Sequence, residues 1–263
     1  MDFEDKVVIV TGGSSGIGAA CALSFAKLSA KLTIVGRNVE KLKQVHDLCE
    51  EASGKKPLII VADISKEEDN IRIIQETIDF YGKIDVLVNN AGMLLMAGLM
   101  DNISNYDRIS ATNVRGPYFL TQLAVPYLIE TKGNIVNVSS VVSSVPIPNM
   151  MPYCMSKAAL DMLTKCAAME LASKGVRVNS VNPGPVATNL FKTAGATEDQ
   201  NKIMFDVMAA ATPLKKMAMS EDIANIVVFL ASDRASCITG SNHIVDCGLH
   251  LGEGNIKDFL LLN

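Results

Sequence analysis

The chain has 263 residues, of which 49% are hydrophobic and 5% aromatic, and its formal net charge is −4 at pH 7. It lacks the basic excess that attracts nucleic acid or an anionic membrane, so we expect neither as a partner. The six cysteines form no Cys-x-x-Cys pair and the three histidines are not grouped with them. We therefore expect no metal site and no disulfide framework.

The N-terminal residues are acidic and lead directly into an apolar run, which is not the pattern of a signal or transit peptide. The chain contains no apolar stretch of 18 residues, so we expect no membrane-spanning helix. These features predict a cytoplasmic protein whose cysteines stay reduced as small buried hydrophobic residues.

Short β-branched runs alternate with segments of helical length and period along the chain. Seven runs are predicted strands: Val7–Val10, Leu32–Val35, Leu58–Val61, Val86–Val88, Ile135–Val138, Val176–Val181 and His243–Val245. Strands that alternate with helical crossovers form a parallel sheet with right-handed connections. The pattern predicts one α/β domain over residues 1–263, with a Rossmann-like, doubly wound parallel sheet of seven strands and helices on both faces.

A glycine-rich segment connects the first strand to the first helix. Its sequence is Thr11-Gly12-Gly13-Ser14-Ser15-Gly16-Ile17-Gly18. Glycines permit a tight turn and let a pyrophosphate approach free N–H groups at a helix N-terminus. The segment therefore predicts dinucleotide binding, with contacts from Gly12, Ser14, Ser15, Gly16, Ile17 and Gly18. The alternative is an ordinary turn between a strand and a helix.

The end of the second strand indicates which dinucleotide is bound. An NAD site has an acidic residue here for the ribose 2′-hydroxyl, whereas this chain has Gly36, Arg37 and Asn38. A guanidinium attracts a 2′-phosphate, so we expect NADP(H) rather than NAD(H), unless Arg37 is only a solvated surface residue. Asp63, at the end of the third strand, is expected either to accept from the adenine amine or to cap the following helix.

Tyr153 and Lys157 are four residues apart at the start of a long helical pattern, so they share one helix face. The Lys157 ammonium is expected to lower the pKa of Tyr153 by ~2–3 units, which corresponds to about 3–4 kcal/mol. A tyrosine with a lowered pKa can exchange a proton with an alkoxide. Taken alone, however, a Tyr-x-x-x-Lys pair is better explained by chance on a helix surface.

Polar residues also follow the fourth and fifth strands. Ser139 and Ser140 end the fifth strand, Asn89-Asn90-Ala91-Gly92 ends the fourth, and Asn113 lies in the next helical segment. The ligands of doubly wound sheets bind at this carboxyl edge. A serine hydroxyl at this edge is therefore placed to hydrogen-bond a substrate oxygen.

These motifs resemble the short-chain dehydrogenase/reductase family over nearly the whole chain. The shared elements are Thr-Gly-x-x-x-Gly-Ile-Gly, Asn-Asn-Ala-Gly, Tyr-x-x-x-Lys and Pro183-Gly184, in the family's order and spacing. The resemblance implies that Tyr153 is the general acid/base and that Lys157 binds the nicotinamide ribose and tunes that tyrosine. It implies further that Ser140, rather than Ser139, orients the carbonyl and that Asn113 holds a water for proton relay.

The resemblance also implies cofactor contacts at several strand ends. Asp63 matches the adenine contact, Asn89 is implied to be structural, and Val186 and Thr188 match residues that fix the nicotinamide carboxamide. The implied cofactor contacts outside the glycine-rich segment, besides Arg37, Asn38, Tyr153 and Lys157, are Asp63, Ile64, Asn90, Ala91, Gly92, Pro183, Gly184, Val186 and Thr188. Many NADP-using members carry Lys or Arg where this chain has Ser14 and Ser15, which leaves Arg37 with most of the phosphate recognition.

Three apolar, Met-rich segments are expected to enclose the substrate, and the third, residues 187–214, is a predicted lid. They contain Met93, Leu94, Leu95, Met96, Val142, Val145, Pro146, Ile147, Met150, Met151, Leu190, Phe191, Met204, Phe205 and Met208. Such walls suit a lipophilic ketone or secondary alcohol, such as a steroid or terpenoid, unless these residues are core or subunit contacts. Alternatives are a 3-oxoacyl-carrier reductase and a non-catalytic cofactor-binding sensor or scaffold.

The resemblance further implies a homodimer or homotetramer that pairs the helices around Asn105–Thr131 and Tyr153–Ala172. The apolar C-terminal stretch Phe259–Leu262 is expected to pack on another surface, such as that of a partner subunit.

Overall fold

The computed structural model describes residues 3–187 and 198–251, with side chains in the second range described from residue 205. The strands are β1 (Val7–Thr11), β2 (Lys31–Gly36), β3 (Leu58–Val61), β4 (Val86–Asn89), β5 (Asn134–Val138), β6 (Arg177–Pro183), β7 (Val186–Ala187), β8 (Ala218–Met219) and β9 (Asn242–Val245). The α-helices are α1 (Gly16–Lys27), α2 (Val39–Ser53), α3 (Glu67–Tyr81), α4 (Ile103–Ser110), α5 (Gly116–Thr131), α6 (Met151–Leu171), α7 (Glu198–Ala211) and α8 (Ser220–Ala231).

Seven strands form one parallel sheet in the order β3-β2-β1-β4-β5-β6-β9. This confirms the predicted single-domain, doubly wound sheet and all seven predicted strands. From β1 the chain builds outward to β3, then crosses back and continues on the other side of β1 with β4. The reversal leaves a crevice at the carboxyl ends of β1 and β4, where such sheets bind their ligands.

Helices cover both faces of the sheet. One hydrophobic core lies against α1, α2 and α8, and the other lies against α3, α5 and α6. In β1, Val8 and Val10 belong to the first core, and Ile9 belongs to the second. Successive side chains of a strand point to opposite faces of the sheet. Because helices cover both faces, the side chains on each face are buried, and β1 is a continuous apolar run.

Two features were not predicted from the sequence. The short strands β7 and β8 pair in parallel and flank the stretch predicted as a lid, which includes α7. A π-helix, Ala111–Arg115, joins α4 to α5. Residues 188–197 of the predicted lid and the apolar tail after residue 251 lie outside the described residues. In the described part of the chain, no helix is both long and apolar enough to cross a membrane.

Candidate active site

The turn between β1 and α1 is built on closely packed glycines. Gly12 and Gly16 have φ angles of +65° and +54°, a left-handed conformation that glycine adopts without strain. A Cβ on Gly18 would lie 2.3 Å from the Gly12 carbonyl oxygen, so α1 packs directly on the turn. The side chain of Ser15, the residue before α1, does not cap the helix. This uncapped N-terminus and the close backbone fit the predicted pyrophosphate site.

Thr11, to which the sequence analysis gave no role, joins this turn to the end of β4. Its buried hydroxyl donates to the Val88 carbonyl at 3.2 Å and accepts from the backbone N–H groups of Asn90 and Ala91, both at 3.0 Å. In return, the Asn90 amide donates to the Thr11 carbonyl at 2.8 Å and to the Gly12 carbonyl at 3.3 Å. Thr11 and Asn90 therefore hold the two turns of the crevice in one fixed arrangement.

Arg37, Asp63 and Ser14 meet where β2 and β3 end. The Arg37 side chain is 73% exposed, and its Nη1 lies 3.7 Å from Asp63 Oδ2. Burial works to raise the pKa of Asp63, but hydrogen bonds from the Ser65 N–H and hydroxyl, together with Arg37, hold it below its ordinary value. A Cβ on Gly36 would lie 3.1 Å from Ser14 Cβ and Oγ, so a side chain at position 36 would make a tight contact with Ser14.

Two other predicted cofactor residues have structural contacts at this edge. Asn38 Oδ1 accepts from the Lys41 N–H at 2.8 Å and caps α2. Ile64 is buried in the core, and its carbonyl accepts from the Asn70 side chain at 2.9 Å. Asp63 accepts from Ser65 within the turn before α3, whose N-cap residue is Lys66, so Asp63 does not cap the helix itself.

The π-helix positions Asn113 at the centre of the site, with 1% of its surface exposed. Its Oδ1 accepts from the Met93 N–H at 2.8 Å, and its Nδ2 donates to the Met93 carbonyl at 2.9 Å and to the Ser156 hydroxyl at 3.1 Å. Both Nδ2 protons are therefore used. Asn113 fixes the chain after Gly92, and its remaining hydrogen-bonding capacity is as an acceptor.

Lys157 lies against the same chain segment as Asn113. Its side chain is buried, and its Nζ donates to the Val138 carbonyl at 2.9 Å. A Cβ on Gly92 would lie 3.4 Å from Asn113 Oδ1 and 3.6 Å from Lys157 Nζ. The two polar groups therefore converge beside Gly92, and a larger side chain at that position would contact both.

Tyr153 and Ser140 form a hydroxyl pair at the carboxyl end of β5. The Ser140 hydroxyl donates to the Pro183 carbonyl at 3.4 Å, and it is the hydrogen-bonding neighbour that acts to lower the pKa of the Tyr153 phenol against the effect of burial. Tyr153 lies on α6 one turn before Lys157, whose Nζ is 5.7 Å from the centre of the tyrosine ring. Ser139 points elsewhere, because its buried hydroxyl donates to the Lys157 carbonyl at 3.2 Å.

The pKa of Tyr153 differs from the sequence-based prediction. Burial raises the pKa of the Tyr153 phenol to about 12, and the hydrogen bond with Ser140 offsets only part of that rise. Burial also lowers the pKa of Lys157 to about 8, although the Asp161 carboxylate acts in the opposite direction. The predicted lowering of the Tyr153 pKa is therefore wrong for this arrangement, because burial disfavours the charged form of both groups.

Comparisons with known proteins agree with this geometry. A family model described as enoyl-(acyl carrier protein) reductase matches residues 12–250. An L-xylulose reductase from Caenorhabditis elegans is 40% identical over 252 residues, which cover 94% of this chain and 96% of that protein. A solved C. elegans short-chain dehydrogenase/reductase with cofactor is 36% identical, has a TM-score of 0.92 and is matched over 98% of its length and 97% of this chain. The chain belongs to the short-chain dehydrogenase/reductase family.

A further solved member of the short-chain dehydrogenase/reductase family has a bound cofactor and substrate. It is the L-sorbose reductase of Gluconobacter frateurii complexed with NADPH and L-sorbose, which is 30% identical with a TM-score of 0.91. The match covers 96% of this chain and 99% of that chain. As a member of this family, the protein is an oxidoreductase that acts on alcohol and carbonyl groups.

The residues that follow β6 are held by contacts with β9, with the residue after it and with β8. The Gly184 N–H donates to the Val245 carbonyl at 3.0 Å, and a Cβ on Gly184 would lie 2.6 Å from Asp246 Cβ. Val186 pairs with Ala218 and packs on the first core. Thr188, the second predicted carboxamide contact, lies outside the described residues.

Only some of the residues predicted to enclose the substrate are exposed to solvent. Val142, Met150 and Met208 are buried and contribute to packing, whereas Met96 and Met151 are exposed. The other described wall residues range from half-buried to exposed: Met93, Leu94, Leu95, Val145, Pro146, Ile147 and Phe205. Leu190 and Phe191, as well as the side chain of Met204, lie outside the described residues.

Proposed function

We propose that this member of the family transfers hydride between NADP(H) and a ketone or secondary alcohol, with Tyr153 as the general acid/base. The observation that carries the proposal is the hydroxyl pair of Tyr153 and Ser140, with Lys157 one helical turn away in the same buried site. All three groups lie at the carboxyl edge of the sheet, the edge at which doubly wound folds bind their ligands.

Each side chain has a separate task in the proposed reduction. When bound, NADPH supplies the hydride that adds to the carbonyl carbon. The Ser140 hydroxyl donates a hydrogen bond to the substrate oxygen, and the Tyr153 phenol gives that oxygen a proton as negative charge develops on it. The products are a secondary alcohol and a Tyr153 phenolate, which the Lys157 ammonium stabilises until a proton returns from solvent. Asn113 holds the Met93 backbone, and its Oδ1 is the acceptor proposed to hold the relay water.

The high pKa of Tyr153 makes the phenol, the form that reduction requires, its main form near neutral pH. Burial raises that pKa to about 12, so the phenol is the populated form. Reduction of a ketone requires the phenol as proton donor, whereas oxidation of an alcohol requires the phenolate as proton acceptor. With NADPH as the hydride source, we propose that the protein works as a carbonyl reductase and that Tyr153 is its proton donor.

The end of β2 supports NADP(H) as the cofactor. The largely exposed Arg37 guanidinium offers a charged fork to a 2′-phosphate. The acidic residue that an NAD site has at position 36 would make a tight contact with Ser14. The G. frateurii relative, whose structure contains NADPH, supports the same choice.

For the substrate we propose a lipophilic ketone, such as a terpenoid or steroid, because Leu94, Leu95, Val145 and Ile147, in the segments that follow Gly92 and Ser140, are partly exposed apolar side chains. A ketose is the second candidate, and it is favoured by the L-xylulose and L-sorbose reductases among the relatives. The acyl-carrier alternative is weaker, because Lys215, one of two adjacent lysines near the proposed lid, donates to the Ala210 carbonyl at the end of α7.

A ketone panel tests the proposed function. NADPH oxidation is followed by absorbance with terpenoid and steroid ketones, L-xylulose, L-sorbose and a short 3-oxoacyl thioester. Turnover that disappears in Tyr153→Phe while NADPH still binds supports the proposal and argues against a non-catalytic scaffold. Equal turnover in wild type and Tyr153→Phe would overturn it.

We also propose a cytoplasmic homodimer or homotetramer with residues 187–214 as the lid. Met155, Met162 and Met169 are exposed at seven-residue spacing on α6, and Tyr118 is exposed on α5. Exposed apolar side chains along one helix face fit burial against a second copy of the chain. Sedimentation equilibrium of wild type and Met162→Lys tests this: the assembly should dissociate in the variant, whereas a wild-type mass of 28.1 kDa would overturn it.

A further inference from the structure

Asp161 carries a carboxylate into the interior of the protein. It lies on α6 one helical turn beyond Lys157 and is 9% exposed. Its Oδ2 accepts from Asn182 Nδ2 at 2.8 Å, and its Oδ1 lies 3.5 Å from the Ser180 hydroxyl, which donates more closely to Asn182 Oδ1. Asp161 takes part in none of the ion pairs within 4 Å among the described residues. Burying a carboxylate that has no ion-pair partner costs folding free energy. A role in the function of the site would explain why the chain keeps it.

Asn182 connects this carboxylate to the segment that carries the active-site serine. Its Nδ2 also lies 3.1 Å from the Ser143 hydroxyl and 3.3 Å from the Ser140 carbonyl oxygen. Its Oδ1 accepts from the Ser180 hydroxyl at 2.7 Å, which fixes the orientation of the amide. Because the Ser140 hydroxyl approaches the carbonyl of Pro183, the next residue, Asn182 and Pro183 hold both the backbone and the side chain of Ser140.

The surroundings of Lys157 contain few charges. From α6, Tyr153 and Asp161 face it. The π-helix contributes the neutral amide of Asn113, β5 contributes the Val138 carbonyl, and β6 contributes neutral polar groups around Asp161. Among the described residues, Asp161 is the one charged side chain that favours the ammonium form of Lys157. Burial acts against that form, so loss of the Asp161 charge would leave only the hydrogen bond to the Val138 carbonyl to oppose burial.

We propose that Asp161 is a positioning residue with two effects on the site: its carboxylate keeps Lys157 in the ammonium form, and through Asn182 it fixes Ser140 against Tyr153. The role in turnover rests on the proposed function. The effect on Lys157 does not, because the charge state of a lysine can be measured without any reaction.

Two variants separate the two effects. Asp161→Asn removes the negative charge but keeps an oxygen that can accept from Asn182. Asn182→Ala keeps the charge but removes the link to Ser140. Glu170→Gln is the matched control, because Glu170 is an exposed carboxylate on the same helix. The midpoint of Lys157 titration is read from lysine labelled with carbon-13 at Cε, with Lys157→Arg identifying its signal.

Asp161→Asn should lower the Lys157 midpoint by at least half a pH unit, and Glu170→Gln should leave it unchanged. In the pH profile of kcat with the best ketone of the panel, the alkaline limb of Asp161→Asn should shift to lower pH by the same number of pH units. Asn182→Ala should lower kcat about tenfold or more at the pH optimum with no shift of the alkaline limb. Circular dichroism and thermal unfolding confirm that each variant is folded.

An unchanged Lys157 midpoint in folded Asp161→Asn would overturn the inference whatever the activity. If that variant does not fold, a wild-type kcat in Asn182→Ala would overturn it instead. A midpoint that moves without any movement of the pH profile would support the charge effect and contradict the proposed role of Lys157 in turnover.

Discussion

The Nζ of Lys157 lies 5.7 Å from the centre of the Tyr153 ring, and it donates its hydrogen bond to the Val138 carbonyl rather than to the tyrosine. The lysine is therefore anchored to β5 and acts on the phenol through its charge. Near neutral pH this charge has little to act on until Tyr153 loses its proton, because the phenol has a raised pKa. The arrangement suits a proton donor whose conjugate base needs stabilising.

The neighbouring serines Ser139 and Ser140 provide a matched test of the hydroxyl pair. Ser140→Ala should lower kcat by about 100-fold, because the substrate oxygen loses a hydrogen-bond donor. Ser139→Ala should change kcat by less than threefold, because its hydroxyl donates to the Lys157 carbonyl inside the protein. Steady-state kinetics of both variants with one ketone measures the difference. Equal losses would remove the special role of Ser140.

Arg37→Gln should lower kcat/KM for NADPH by about 10-fold to 100-fold and leave kcat/KM for NADH within threefold, because one charged contact to the 2′-phosphate is lost. Arg108→Gln is the control, since Arg108 is an exposed arginine on α4. Gly36→Asp should raise NADH activity, and more so together with Ser14→Gly, because the new side chain would otherwise contact Ser14 closely. Parallel losses with both cofactors in Arg37→Gln would contradict the assignment of NADP(H).

Lys157→Met should stabilise the folded protein at pH 7 while it lowers activity. Burial lowers the pKa of Lys157 from 10.5 to about 8, so below pH 8 the folded state holds a charged lysine at a cost that the unfolded state does not have. Removing that charge should raise the free energy of unfolding by about 2 kcal/mol, after allowance for the lost hydrogen bond to Val138.

The gain from Lys157→Met should shrink as the pH rises from 8 to 10.5. In that window the folded wild type releases its Lys157 proton while the unfolded chain keeps it, so the wild type gains stability. Denaturant unfolding of both proteins at pH 7 and pH 9.5 measures the change. A lower free energy of unfolding for the variant than for the wild type at pH 7 would show that the buried charge of Lys157 does not destabilise the folded protein.

Thr11→Val should destabilise the protein by about 2–3 kcal/mol and raise KM for NADPH. The substitution keeps the shape but leaves the Ala91 N–H without its acceptor and the Asn90 N–H with the Val88 carbonyl alone, at 3.1 Å. Thr33→Val is the control, because the Thr33 hydroxyl has one described side-chain hydrogen bond, from Thr77. Equal destabilisation in the two variants would argue against Thr11 as the link between the two turns of the crevice.

The sequence was sufficient to predict the sheet but not all of the site. The seven strands were predictable because buried parallel strands are continuous apolar runs between helical segments. Strands β7 and β8 were not, since two-residue strands have no periodicity. The grouping of Asn113, Ser140, Tyr153 and Lys157 was expected from the family resemblance, and the geometry agrees with it. Thr11 was missed, although it directly precedes Gly12 in the same motif.

The electrostatics of the site could not be read from spacing. The spacing of four positions from Tyr153 to Lys157 predicted proximity, but the sign of each pKa shift depends on burial by other strands and helices. Asp161 was visible as the next residue along the same helix face. Its partner Asn182 comes from β6, so only the folded chain shows that the two are in contact.

Single-turnover oxidation of bound NADPH by a ketone of the panel, in wild type and Tyr153→Phe, tests the central claim most directly. Tyr118→Phe, which removes the hydroxyl of an exposed tyrosine on α5, is the control. The Tyr153 variant should bind NADPH as the wild type does and lose at least about 1,000-fold in the rate of hydride transfer, while the Tyr118 variant loses nothing. A wild-type rate in Tyr153→Phe would contradict the assignment of Tyr153 as the proton donor.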